Sequence, residues 1–321
     1  MNGSDIQASI EAALSIPPVD HAGDREFGLH VRLRAGFLAL STTRMPAWIV
    51  PLGTRVSAYS LMMEGLAVMV REEVRFEVSG KSWQSPAVVF ECRDLRFLRS
   101  FCVFVADLHR RIPSDRPNWN LVKAAFAEWE RFFSKETPLT PQKQLGLWGE
   151  LWLIDAAQDK DLAVTAWVAD SEGERDFAAR SVRLECKTST RRLHHHVSIR
   201  QVADRPMIGS AFLVSLWVGE NAGEGRTLGE LVAPIRASLS DDVEFDRKLG
   251  VAGYFDADAE AYVKRFSLLT EPMWFPLDSV PQVRTVDPGI SQIRFVVDLP
   301  EECSLPSIEA RAIFEGAFGR V

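Results

Sequence analysis

Apolar and polar residues alternate through REFGLHVRLRAGFLALS, GLAVMVREEVRFEVS and PAVVFECR, short β-branched and aromatic runs broken by Gly, Pro and Ser. Alternation with a period of two fits half-buried strands, so the first hundred residues are expected to be mostly sheet. The period then changes. In DLRFLRSFCVFVADLHRRI (94–112) the apolar positions recur at three and four. After the interruption PSDRPNWN (113–120), LVKAAFAEWERFF does the same, and both stretches read as helices. SKETPLTP (134–141) is a candidate hinge or boundary.

The next helix is expected at QKQLGLWGELWLIDAAQ, with Thr140 as its cap and Pro141 in its first turn. Leu145, Trp148 and Trp152 share one side, and Leu147, Leu151 and Ile154 another, so the helix is apolar nearly all round and belongs inside. Gly146, Gly149, Glu150 and Leu153 fall on a common stripe. Each interior glycine costs about 1 kcal/mol against alanine. Two of them beside a glutamate imply a close approach to a sheet, with Glu150 aimed at something there. A tight helix contact with Glu150 at a wet edge is the plainer alternative.

A connector containing AVTAWVAD leads to SEGERDFAAR, which turns through Gly173 into a strand carrying Asp176. After a bend near residues 179–181 comes SVRLECKTS. Val182, Leu184 and Cys186 point to one face of that strand, and Arg183, Glu185 and Lys187 to the other. STRRLHHH reads as a loop. Ser198 and Gln201 make a capping-box pattern that opens a short helix. GSAFLVSLWVGE (209–220) is a buried strand, TLGELVAPIRASL and the segment from Asp241 are helical, and RFSLLT, MWFPL and ISQIRFVVDLP are further strands.

Composition narrows the setting. Hydrophobic residues make up 46% and charged residues 25% of the 321, which is ordinary globular usage. No apolar run approaches the roughly 18–20 residues of a membrane helix, and the N-terminus lacks the pattern of a signal peptide. Cys92, Cys102, Cys186 and Cys303 are widely spaced without a CxxC pair, so a reducing cytoplasm is expected. Neither GxGxxG nor GxxxxGK[ST] occurs, which removes Rossmann and P-loop chemistry. Net charge is −7, yet residues 175–205 carry eight Arg or Lys against the acids Asp176, Glu185 and Asp204. A basic patch confined within an acidic chain suits a local phosphate-binding surface, or a solvated arginine-rich face.

The candidate chemistry lies between 141 and 220. Magnesium takes octahedral oxygen coordination and keeps several waters, so carboxylates from two adjacent strands, Asp176 and Glu185, suffice to hold it. The backbone carbonyl of Cys186 is a natural further ligand, and Glu150 would bind a second ion or a metal water. Lys187, on the face of Glu185, is placed to orient a nucleophilic water towards a phosphodiester. Thr188, Ser189, Arg191 and Arg192 are candidate phosphate contacts. A single histidine of the three, His196, is a candidate nucleic-acid contact, since adjacent histidines alternate sides and do not chelate one ion together. Gln201 is expected to reach the metal water or a phosphate, or to serve only its own cap. A second acid-x-Lys triplet, Asp246–Arg247–Lys248, sits in a helical stretch with no strand acid before it, and Asp155 reads as structural.

The residues RDF…LECKTS resemble the PD-(D/E)XK nuclease superfamily, with Asp176, Glu185 and Lys187 at the signature positions and Arg175 where the proline would stand. GLWGELWLIDAA, RDF, LECKTS and H-x-V-S-x-x-Q resemble, more narrowly, an uncharacterised bacterial family of PD-(D/E)XK members found beside phage-defence or restriction genes. The resemblance implies an α/β chain, α+β overall. Its restriction-endonuclease-like αβββαβ core would span 136–225, between a strand-rich accessory region ending in helices (1–135) and a mixed C-terminal extension packed on the core (226–321). It implies an endonuclease that hydrolyses DNA with Mg²⁺, or Mn²⁺ as substitute, in restriction or phage defence. An ATPase partner and a homodimer are compatible with it, and a membrane is not. The other open reading is a nuclease-fold subunit that binds DNA or partner proteins without cutting.

Overall fold

The alternating N-terminal stretches form β1 (Phe27–Leu33), β2 (Gly36–Ser41), β3 (Pro46–Pro51), β4 (Tyr59–Met62), β5 (Leu66–Val78) and β6 (Lys81–Cys92), preceded by α1 (Gly3–Ser15). They pair antiparallel in the order β1-β2-β3-β6-β5-β4. The expected helices follow as α2 (Leu98–Arg111) and α3 (Trp119–Phe133). Trp48 and Phe90 stack at 5.5 Å between ring centroids, and Phe104 of α2 meets both, as well as Phe126 and Trp129 of α3. Full burial of such side chains stabilises by about 1.5–3 kcal/mol each, which is why α2 and α3 cover this face of the sheet.

The structure is a computed structural model that describes residues 3–16, 27–54, 56–78, 81–112, 117–133, 138–169, 175–179, 182–203, 210–221, 223–283, 290 and 293–319. The turn expected at Gly173 and the bend at residues 180–181 lie outside these. Two units result: Met1–Thr137 with Phe255–Ala257, and Pro138–Tyr254 with Asp258–Val321. No helix among the described residues is long and apolar enough to cross a membrane.

The second unit opens with α4 (Pro141–Ala156), capped as its sequence suggests: Thr140 accepts from the Lys143 N–H and Pro141 takes the first position. The AVTAW stretch, expected as a connector, is instead helical in α5 (Lys160–Ala166), because Asp159 caps it by accepting from Leu162 N–H. Then come β7 (Phe177–Ala179), β8 (Val182–Ser189), β9 (His194–Ser198), α6 (Ile199–Ala203) and β10 (Ser210–Glu220). The chain continues through α7 (Leu228–Ser238), α8 (Val243–Ala252), β11 (Phe266–Leu268), β12 (Met273–Pro276), β13 (Arg294–Asp298) and α9 (Ser307–Phe318). Asp176 sits just before β7 rather than within it.

The sheet runs β11-β10-β8-β7, and β12 also pairs with β10. β8 and β10 are parallel, with Glu185 opposite Leu213 and Lys187 opposite Ser215. β7 joins β8 antiparallel. The three histidines, expected in a loop, begin β9 instead. Their partner is the distant β13, with which β9 forms a separate two-stranded antiparallel ribbon. Leu184, Cys186, Val214 and Leu216 share one buried cluster with Leu147, Leu151 and Ile154 of α4. Leu213 and Phe275 share another with Val197 and Val297 of the ribbon. The sheet is therefore held between α4 and the β9–β13 ribbon.

Candidate active site

Alternation along β8 decides which side chain goes where. Leu184, Cys186 and Thr188 turn towards α4, and the approach there is close. A Cβ added to Gly149 would overlap the Thr188 hydroxyl and lie 2.9 Å from Leu216 Cδ1. Gly149 thus answers to the sheet, as the glycine-rich pattern suggested, while Gly146 has nothing within 4 Å of its Cβ position. The Thr188 hydroxyl is buried without a hydrogen-bond partner. It belongs to the helix–sheet contact, not to the phosphate-contacting set expected of it.

Glu185 and Lys187 occupy the other face. Glu185 is fully buried, and Lys187 Nζ lies 2.8 Å from its Oε1. Lys187 is thus the close partner of the Glu185 carboxylate. Asp176 reaches β8 from the end of β7: its Oδ2 accepts from the Cys186 N–H at 2.7 Å. Position 186 lies past the last β7–β8 pair, so this backbone edge is free of the ladder. An extended residue presents N–H and C=O to the same edge, which puts the Cys186 carbonyl on the Asp176 side as well. Glu150 comes in from α4 and accepts from Trp167 Nε1 at 2.7 Å.

The electrostatics join these groups. Burial pushes Glu185 up to about 8, with Asp176 adding to the rise and Lys187 opposing it. Burial likewise raises Asp176, against the pull of Lys187, the Cys186 N–H and Arg175. Glu150 stands well above the usual carboxylate range, first through burial and then through Asp176. Burial alone would lower Lys187, but Glu185 and Asp176 outweigh it and leave it above its ordinary value. Three buried acids thus share the influence of one lysine and hold protons more tightly than acids in water do.

The other expected contacts divide. Ser189 accepts from the Arg191 N–H at 3.0 Å. Arg192 is ion-paired with Glu301 and lies 5.8 Å from the Trp217 ring centre, so its guanidinium is already engaged. Gln201 Oε1 accepts from the Ser198 N–H at 2.8 Å while Ser198 Oγ accepts from the Gln201 N–H, so the amide serves the cap of α6. His194 pairs with Asp298 at 2.7 Å, His195 is buried with Nε2 2.7 Å from Ser215 Oγ, and only His196 is exposed. Arg191 is exposed. Asp155 is structural as expected, paired with Arg226 at 2.7 Å.

The second triplet is helical, within α8. Asp246 pairs with Arg236, and Lys248 donates to the carbonyls of Val164, Thr165 and Trp167 at 2.6–3.0 Å. Lys248 therefore closes the C-terminal end of α5, where a cation is favoured. It also fixes the backbone of Trp167, the residue that orients Glu150. Nothing in the sequence pattern marked Trp167; the one clue is an indole following a short capped helix, whose N–H needs a partner when buried.

Among the described residues, no group of three or more His, Cys, Asp or Glu is gathered closely enough to hold an ion. The expected Glu150–Asp176–Glu185 ligand set is thus not assembled, because each carboxylate has its own protein partner: Trp167, Cys186 N–H and Lys187. The donor set nonetheless suits a hard divalent cation. Its oxygens are buried and hold protons more tightly than in water, so a cation there would displace protons and take the place of Lys187 beside Glu185.

The mixed α/β unit thus brings Asp176, from just before β7, to the stretch of β8 that carries Glu185 and Lys187. A family model matches residues 57–300, and the chain belongs to that family, described as "Putative PD-(D/E)XK family member, (DUF4420)". No curated protein and no solved structure matches the chain.

Proposed function

We propose that the protein is a divalent-metal-dependent endonuclease acting on DNA phosphodiester bonds. The observation that carries this reading is the convergence of Asp176, Glu185 and Lys187 at one buried edge of β8, with Glu150 brought to the same charge cluster by α4 and Trp167. The order α4, α5, β7, β8, β9, α6, β10, with β10 parallel to β8, supports a core of the αβββαβ kind, although β9 pairs with β13 outside the sheet. A role in restriction or phage defence rests on the family resemblance alone.

Asp176, Glu185 and the Cys186 carbonyl would hold the metal, Mg²⁺ or Mn²⁺, and Glu150 a second ion or a metal-bound water. The ion supplies charge neutralisation at the phosphate and a more acidic water. Lys187 keeps its proton, being raised by its two acidic neighbours, and so acts as a fixed cation that orients the attacking water and the phosphate oxygen. Trp167 fixes the Glu150 carboxylate, and the Gly149 contact sets how near α4 comes to β8.

Purified protein is expected to nick or linearise supercoiled plasmid with Mg²⁺ or Mn²⁺ and not with EDTA. Asp176→Ala and Lys187→Ala should lower the rate at least a hundredfold while the circular dichroism spectrum is unchanged. Equal cutting by wild type and both variants would mean contamination and end the assignment. The second reading, a non-cleaving DNA-binding or partner-docking subunit, is favoured by the Lys187–Glu185 pair, which closes the ligand set. Metal-independent duplex binding without cutting would select it.

A further inference from the structure

The β9–β13 ribbon has two unlike faces. His195, Val197 and Val297 turn inward and are buried. His195 ties the ribbon to β10 through Ser215, whose Cα partner on β8 is Lys187. The outward face is built from three cross-strand pairs: Ser198 with Arg294, His196 with Val296, and His194 with Asp298. His196, Arg294 and Val296 are exposed, Val296 by 45%, and Arg200 is exposed just past the Arg294 end of the ribbon. The acids at the opposite end have partners at short range, Asp298 in His194 and Glu301 in Arg192. Arg191, in the turn that joins β8 to β9, is exposed as well.

We propose that this outward face is the element that docks double-stranded DNA, with Arg200 and Arg294 on phosphates and His196 and Val296 against base edges. The inference rests on the nuclease reading and extends it from the cleavage site to the surface that holds the substrate. The major groove, about 12 Å wide, admits a two-stranded β-ribbon. Unpaired arginines supply the charge that fixes a protein on the phosphate backbone, and an apolar side chain at the centre matches a thymine methyl. His195 pins the ribbon to the sheet face that carries Glu185 and Lys187, so the docking surface and the cleavage site belong to one unit. The face replaces part of the contact set expected from sequence, since Thr188 is buried against α4 and Arg192 and Gln201 are paired within the protein.

The test is fluorescence anisotropy of a labelled 30-base-pair duplex in EDTA, with wild type, Arg200→Ala/Arg294→Ala and Val296→Asp, each checked for folding by circular dichroism. Arg247→Ala, which removes an arginine paired with Glu244 on α8, is the charge control. The double variant is expected to bind about tenfold more weakly, with a salt-dependence slope shallower by roughly 2. Val296→Asp should bind at least as poorly, and the control should match wild type. Unchanged affinity and slope in both ribbon variants would overturn the proposal, as would wild type preferring single strands or RNA. If those variants also cut plasmid at the wild-type rate, only the ribbon assignment falls. Wild type that neither binds nor cuts would take the nuclease reading down with it.

Discussion

At neutral pH the imidazole of His195 is uncharged, because burial, and after it Lys187, His194 and His196, push its pKa down to about 3. An unfolded histidine titrates near 6.5, so the folded state binds fewer protons between these values. The stabilisation is complete above about 6.5 and is lost as pH falls towards 3. Glu185, pushed up to about 8, has the opposite sign: its folded form binds more protons, so its contribution is greatest at low pH and fades as pH rises from about 4.5 to 8. The two oppose each other between about 4.5 and 6.5, and a variant comparison separates them. Wild type should lose urea stability relative to His195→Gln from pH 7 to 5, by up to about 1.4 kcal/mol per pH unit. A difference between the two proteins that does not change with pH would contradict the neutral, buried assignment. Among single residues, Glu185 and Lys187 could be found by counting along LECKTS, since strand alternation alone places them together. Trp167, Lys248 and His195 could not, because each acquires its role from a partner far along the chain.

Helix α4 and strand β8 meet through a backbone that tolerates no side chain at one position and has room at another. Gly149→Ala should destabilise by about 1–3 kcal/mol, as overpacking does, because the new methyl meets Thr188 and Leu216. Thr188→Ala in the same protein should recover part of that loss. Gly146→Ala adds its methyl to open space and should stabilise by about 0.5–1 kcal/mol through helix propensity. Denaturant unfolding of the three variants checks the pattern, and equal effects at both glycines would refute the close-contact explanation. Elements with a strong local period, α4, β8, β10, α7 and α8, stand where the sequence puts them. β9 does not, since its strand character comes from pairing with β13 across almost a hundred residues. Polar, histidine-rich composition hides such a strand, whereas a capping box such as Ser198–Gln201 is wholly local and was readable.

Across the whole molecule, net charge is −7 although the proposed substrate is a polyanion. Binding must therefore be local, and exposed arginines on one ribbon are a way to achieve it within an acidic chain. The division at 137/138 falls inside the SKETPLTP stretch that composition had marked. Asp258–Val321 lies in the same unit as α4 and β8, and the sequence pattern did not show how it joins: β11 and β12 are added to β10, and β13 to β9, by non-local pairing. At this scale the account depends on one claim: the buried acids at the edge of β8 are a cation site that a divalent ion can open. Crystals soaked in millimolar Mn²⁺ and measured at the manganese absorption edge test it directly. The account predicts an anomalous peak between Asp176 and Glu185, with Lys187 released from its pair with Glu185. No peak there, with Lys187 still on Glu185, would contradict it.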